Sequence, residues 1–327
     1  MSSPLLSVRD LAIEFRTEQG VVRAVDGVSF DVFPNETVGL VGESGCGKTV
    51  TALSILGLVP NPPGRIAAGR IEFEGRDLVG LDEAGMRALR GPGIAMIFQE
   101  PMTALNPVFT VGSQMMDVLR RCKGLTRRQA RAAAIELLAR VGIPAPDRRV
   151  DEYPHQLSGG MRQRVVIAMA LSCDPKLIVA DEPTTALDVT TQAQVLEQMV
   201  RLQEEFRMAM ILVTHDLGVI AEACDRAMVM YCGRIVEQAP IGELFAHPRH
   251  PYTAGLLASI PAAVADERRE LPVIPGMVPD LLHLPPGCRF ADRCARRLPR
   301  CEAGQPELAP AGDAARVACF NPMETPR

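Results

Sequence analysis

The sequence predicts an α/β protein, a mainly parallel sheet covered by helices, and three observations predict it. Short apolar runs alternate with segments of helical period along most of the 327 residues. One such run, Thr37-Val38-Gly39-Leu40-Val41, leads straight into the glycine-rich stretch Gly42-Glu43-Ser44-Gly45-Cys46-Gly47-Lys48-Thr49. Another, Leu177-Ile178-Val179-Ala180, closes on two acids, Asp181 and Glu182.

In chain order, Leu5 to Phe15 and Ala24 to Val32 alternate in the manner of strands and precede the glycine-rich loop, so they read as an antiparallel β layer. The run at 37–41 is a buried strand, and Val50 to Leu58 is compatible with a helix. Ile71-Glu72-Phe73 and Ile94 to Phe98 are further short strands. From Val111 to Val141 the period turns helical, with an Arg-rich polar face (Arg120, Arg121, Arg127, Arg128, Arg131, Arg140). At helical spacing that face is a solvated surface sooner than a nucleic-acid patch. Asp151 to Gly160 is a loop marked by Pro and Gly, followed by a helix from Met161 to Ser172. The apolar strand at 177–180, a helix from Val189 to Phe206 and a strand from Met208 to Val213 complete the βα alternation. After Pro240 prolines and cysteines become frequent and the period fades, which places an accessory region at 251–327 behind a first domain at 1–250.

The stretch at 42–49 fits G-x-x-x-x-G-K-[ST], the phosphate-binding loop of nucleoside triphosphatases, in the strand–loop–helix context that gives the pattern its mechanism. Glycines let backbone N–H groups close around phosphate oxygens, and a helix N-terminus adds partial positive charge. Lys48 reaches the terminal phosphates, and the Thr49 hydroxyl is a ligand for Mg²⁺. Cys46 stands at a loop position where Ser is commoner, which makes inhibition by thiol reagents an expectation.

Composition narrows the class. Hydrophobic residues make up 47%, enough for a sizeable core, and the net charge of −4 argues against general nucleic-acid binding. Met1-Ser2-Ser3-Pro4 does not read as a secretory leader, and no stretch approaches the ~20 apolar residues of a membrane span. Use of ATP implies the cytoplasm, where the nine cysteines are expected as thiols or metal ligands rather than disulfides.

Further segments follow in a telling order. Gln99 ends the strand at 94–98, and Leu157-Ser158-Gly159-Gly160-Met161 opens a helix. Asp181-Glu182 precede Ala186-Leu187-Asp188, His215 ends the next strand, and Phe15 lies ahead of the phosphate loop. The series resembles the ATPase subunit of an ATP-binding cassette (ABC) transporter. Tyr153-Pro154-His155-Gln156, the run from Ala180 to Thr190 and His247-Pro248-Arg249-His250-Pro251-Tyr252-Thr253 narrow the resemblance to the dipeptide/oligopeptide importer branch, which also includes nickel and glutathione importers. It implies a mixed-sheet core, an antiparallel β layer, a helical subdomain at about 105–157 and a Cys-rich C-terminal region.

The resemblance also implies roles. Asp181 holds Mg²⁺ together with Thr49 and Gln99, and Glu182 is the base that deprotonates the attacking water. His215 donates to the γ-phosphate, Phe15 stacks on adenine, and Asp188 orders the dimer contact. Ser158, Gly159 and Gly160 present a helix N-terminus to ATP held by a second ATPase subunit, a paralogue of this chain. Two permease subunits and, indirectly, an extracytoplasmic solute-binding protein complete the expected assembly, with this chain peripheral at the cytoplasmic face of the membrane and no nucleic-acid partner. A soluble ABC ATPase acting on nucleic acid or ribosomes is the competing reading, against which stands the absence of a tandem cassette or a long coiled-coil insertion.

Cys288, Cys294, Cys301 and Cys319 are spaced C-x5-C-x6-C-x17-C in a Pro-rich setting that has little core of its own. All-thiolate sets suit zinc or an iron–sulfur cluster. A tight C-x2-C knuckle is missing, which favours a 4Fe–4S cluster, as does the resemblance; zinc and plain thiols stay open. Cys122, Cys173, Cys224 and Cys232 read as core residues. His247 and His250 read as part of a connector into the tail sooner than as metal ligands.

Overall fold

The computed structural model describes residues 3–99, 104–185, 187–260 and 272–323. Ala186, quoted above, lies outside the described residues. The chain divides into two compact units, one of Met1–Val32, Thr37–Gly80 and Thr214–Arg327, the other of Phe33–Glu36 and Leu81–Val213.

The first unit begins with an antiparallel layer. Strands β1 (Leu6–Thr17) and β2 (Gly20–Val32) pair along their length, and β4 (Gly64–Phe73) and β5 (Arg76–Asp77) extend the layer in the order β2-β1-β4-β5. Leu6, Val8, Leu11 and Ile13 are fully buried on β1, the alternation changing phase at the irregularity between Val8 and Leu11, where Asp10 has φ 47°. The same unit holds β3 (Thr37–Val41), buried at all five residues and parallel to β9 (Arg226–Tyr231). The antiparallel strand β10 (Arg234–Pro240) follows β9, and the short C-terminal strands β12 (Arg316–Val317) and β11 (Ala309–Pro310) add to it in turn. Helix α1 (Lys48–Ile55) follows β3, and α8 (Leu217–Ala223) packs across β3, with Ile220 close over Gly39.

The second unit carries three parallel strands, β6 (Ile94–Ile97), β7 (Leu177–Asp181) and β8 (Ala209–Thr214, whose last residue belongs to the first unit). Every residue of β7 and β8 is buried, as continuous apolar runs require. The helical stretch expected at 111–141 is two helices, α3 (Val111–Lys123) and α4 (Arg127–Arg140). Gly124 ends the first with φ 64°, and Thr126 and Gln129 form a reciprocal capping box that starts the second. Helix α6 (Gly159–Leu171) carries the Ser158 signature at its start, and α7 (Val189–Phe206) matches its expected bounds. Among the described residues no helix is long and apolar enough to cross a membrane.

Candidate nucleotide site

In the first unit the phosphate loop is built between a buried strand and a helix start. Gly47 precedes α1 with φ 104°, and a Cβ there would lie 2.4 Å from the Ala24 carbonyl oxygen. At Gly42 a Cβ would lie 2.2 Å from the Met230 carbonyl oxygen. Both contacts are with backbone, so neither position accepts a side chain. The Lys48 side chain is buried, and its Nζ donates to the carbonyls of Gly42 (2.8 Å) and Glu43 (3.0 Å). The ammonium therefore lies across the loop mouth, beside the N–H groups of the helix start. Ser44, Gly45 and Thr49 are exposed, where a ligand's oxygens have access.

The Cys46 thiol is buried, and burial pushes it up from its ordinary pKa against the pull of Lys48, whose Nζ is 3.8 Å away. A buried, protonated thiol is a poor nucleophile, which counts against the expected sensitivity to thiol reagents.

Glu43 is held from the C-terminal region. Its backbone N–H donates to the Tyr252 hydroxyl (2.9 Å), and its carboxylate accepts two bonds from Arg293, Nη1 to Oε2 at 2.7 Å and Nη2 to Oε1 at 3.0 Å. Tyr252 is fully buried in an aromatic group with Tyr231 and Phe290. Its helix, α10 (Pro251–Ala258), is anchored by Glu237 of β10, which accepts from the backbone N–H of Arg249 (2.7 Å) and His250 (2.8 Å). His250 accepts from the Tyr252 N–H at 3.1 Å and is fully enclosed, so burial lowers its pKa to about 3. His250 is thus a structural acceptor within the stretch at 247–253. Asp26 of β2 gathers Arg23, Arg234 and Arg289; burial would raise its carboxyl, and the arginines pull it below its ordinary value. Phe15 is half-buried on β1 with Gly64 opposite, where a Cβ would fall 2.7 Å from the ring. His215 follows Thr214 and is exposed.

The second unit gathers the remaining candidates. Asp181 is buried at the end of β7, and Glu182 follows with φ 47°, a left-handed conformation unusual for a residue with a side chain. Gln99 Nε2 and Thr185 Oγ1 both donate to Glu182 Oε2, at 2.8 and 2.9 Å. Thr185 has no place in the sequence reading; its hydroxyl three residues past the acid is the signal that could have found it. Ser158 caps α6, accepting from Met161 N–H at 3.3 Å, and Ser158 and Gly159 are exposed. Asp188 caps α7 through the Thr191 N–H (3.0 Å) and hydroxyl (2.7 Å), which hold its carboxyl below the ordinary range.

The cysteines depart from expectation in two ways. Cys122, exposed on α3, is disulfide-bonded to Cys173, which is buried beyond α6, so neither is a thiol and Cys122 is not a core residue. The thiols of Cys288, Cys294, Cys301 and Cys319 are free. Burial above all, with the other three thiols adding to it, pushes Cys319 up to about 11. Yet among the described residues no group of three or more His, Cys, Asp or Glu is arranged to hold a metal ion. The expected 4Fe–4S or zinc centre is thus not formed as a ligand set, although the donor chemistry suits one. Thr49 in the first unit, and Gln99 and Asp181 in the second, each carry a hard oxygen, the donor type Mg²⁺ takes.

Comparison with known proteins follows the same lines. The ABC transporter family profile matches residues 25–185, and the oligopeptide/dipeptide transporter C-terminal region matches 236–301. The oligopeptide transport ATP-binding protein AppD of Bacillus subtilis (strain 168) is 51% identical over 318 residues, 97% of each chain. A putative peptide import ATP-binding protein of Brucella melitensis biotype 1 is 54% identical over 316 residues, 94% of each chain. Among solved structures, the ABC cassette MJ0796, a dimer bound to ADP and phosphate after hydrolysis, aligns with TM-score 0.64 and 25% identity over 72% of this chain and 98% of its own. The cbiO1 protein of Clostridium perfringens, part of an ABC transporter complex, aligns with TM-score 0.65 and 27% identity over 75% of this chain and 92% of its own.

Proposed function

We propose, on the premise that this chain belongs to the ABC transporter ATPases in their oligopeptide/dipeptide branch, that it closes with a second cassette on two ATP molecules and thereby drives peptide import through a membrane permease. The chain is an ATPase of the peptide-import type with the ABC cassette fold. The observation that carries the finer reading is the Gln99–Glu182 hydrogen bond, which aims an amide and a strained acid at one point beside Asp181.

The phosphate loop binds the triphosphate through its backbone N–H groups and Lys48, and Phe15 offers its ring to the base. Glu182 takes the proton of the attacking water, Gln99 and Thr185 fix its carboxylate, and His215 donates to the terminal phosphate. Thr49, Gln99 and Asp181 would hold Mg²⁺, which would supply charge neutralisation on the phosphates. The start of α6, with Ser158 and Gly159 exposed and Gly160 half-buried, supports a trans role: a helix N-terminus at the surface of one subunit suits an anion brought by another. Asp188 orders that contact. The partner is a paralogous cassette, and two permease subunits, with a solute-binding protein outside, receive the motion at the cytoplasmic face of the membrane. The region 251–327 is an accessory domain behind the cassette at 1–250.

The test is Glu182→Gln. ATP binding should persist while turnover falls at least ~100-fold, the usual worth of a positioned base. A variant that hydrolyses at the wild-type rate would remove Glu182 from the mechanism.

The four-cysteine tail is proposed as a thiolate centre, 4Fe–4S before zinc, that orders the accessory domain. Its support is the donor chemistry of four free thiols in one short segment of the chain. Anaerobically purified protein should absorb near about 400 nm, as thiolate-bound iron–sulfur clusters do. Colourless protein with one zinc per chain reverses the order, and metal-free folded protein ends the proposal.

A further inference from the structure

We infer that the C-terminal region tunes ATP affinity by clamping the phosphate loop, with Arg293 and Tyr252 as positioning residues acting through Glu43. This deepens the proposed ATPase reading and rests on it.

Three groups converge on one loop residue. The Glu43 carboxylate is taken by both guanidinium nitrogens of Arg293, its N–H by the Tyr252 hydroxyl and its carbonyl by Lys48. The clamp residues lie 209 and 250 positions further along the chain. They are fixed in their own right. Arg293 is buried, donates from Nε to the Pro275 carbonyl at 3.0 Å, and lies against the Tyr231 and Phe290 rings. A second arginine of the same segment, Arg289, bonds the Cys232 carbonyl and Asp26, while the adjoining Gly233 N–H donates to the Cys46 carbonyl at 2.8 Å. The tail thus grips the loop directly at Glu43, and Arg289 braces the Cys232 carbonyl next to the Gly233 N–H that holds Cys46.

Two physical consequences follow. A bidentate guanidinium–carboxylate pair fixes orientation as well as charge, so the loop's N–H groups are set before phosphate arrives. A carboxylate next to a polyanion site repels the ligand, and Arg293 neutralises it where water has limited access. Loss of Arg293 leaves that charge uncompensated; loss of Glu43 leaves nothing for Arg293 to neutralise.

The experiment is a double-mutant cycle on the full chain, read as the Kd of a fluorescent ATP analogue with Mg²⁺. R293M should raise Kd about tenfold, E43Q about threefold, and R293M in the E43Q background no further, because the coupling is then already gone. In the assembled transporter the R293M effect should fall on KM, with kcat within about twofold, as for a lost ground-state contact. R316M, elsewhere in the tail, should bind as wild type with an unchanged unfolding midpoint. Tyr252→Phe, which removes only the hydroxyl on the Glu43 N–H, provides a second arm should R293M not fold, with Kd expected to rise about threefold. Wild-type affinity in R293M or, if that variant does not fold, in Tyr252→Phe overturns the clamp, and so do additive losses in the cycle. Failure of the wild-type protein itself to bind Mg-ATP would instead overturn the ATPase reading.

Discussion

The phosphate loop and the acid pair of β7 are both candidate halves of one chemistry, but they are held in opposite ways. The loop sits in a web drawn from the whole chain: Ala24 and Met230 backbone press on its glycines, and Tyr252 and Arg293 hold Glu43. In the second unit Asp181 is buried, while the half-buried Glu182 is held by two side chains, Gln99 and Thr185, and the signature helix start at Ser158 faces solvent. A binding cradle profits from being fixed before its ligand arrives, whereas a surface meant to meet another subunit must stay open. The difference locates rigidity at the phosphates and adaptability at the proposed dimer face.

The largest expected effect breaks the rigid side of that contrast. Gly47→Ala places a Cβ against the Ala24 carbonyl at a φ of 104°. Strain and backbone displacement together are worth about 3 kcal/mol, or about 100-fold in Mg-ATP affinity. Equilibrium binding measures it, and an affinity within twofold of wild type would mean the cradle yields as easily as the open surface. Glu182→Gln probes the other side, where binding should hold and turnover fail. The R293M cycle lies between them, since it loosens the cradle from outside without touching a phosphate-contacting atom.

How much was legible in the sequence follows the same division. Strand β3, the phosphate loop, β7 with Asp181 and Glu182, and the whole of α7 were readable because each is a local pattern with its own period or spacing. The break between α3 and α4 was also local, at Gly124 and the Thr126–Gln129 box, but the apolar period ran through it and masked the signal. The stretch of β4 before Ile71 went unread because its exposed residues and two glycines carry no alternation. Tyr252 and Arg293 were beyond reach for another reason. Their partners lie hundreds of residues away, and no periodicity announces a hydrogen bond to a loop amide. Likewise the Cys122–Cys173 disulfide joins a helix end to a turn 51 residues on, and compartment reasoning argued against it.

The smallest effect sharpens the comparison by pH. His250 sits inside the web that carries Tyr252, with the Glu237 carboxylate bonded to its own backbone N–H. Folded, its pKa is lowered to about 3; unfolded, it titrates near the ordinary 6.5. Its neutral form is therefore favoured in the native state, a contribution fully present above pH 6.5 and lost as pH falls toward 3. Between pH 6.5 and 5.5 this group in the unfolded chain goes from about half to about nine-tenths protonated while the native site refuses the proton, which removes about 1 kcal/mol of stability. Glu237, whose carboxyl burial pushes up, acts in the opposite sense, so the His250 share is read as a difference. Denaturant midpoints at the two pH values should shift more in wild type than in His250→Gln. Equal shifts would mean that His250 accepts a proton in place, and that the web beneath the phosphate loop is looser than the acid pair it is contrasted with.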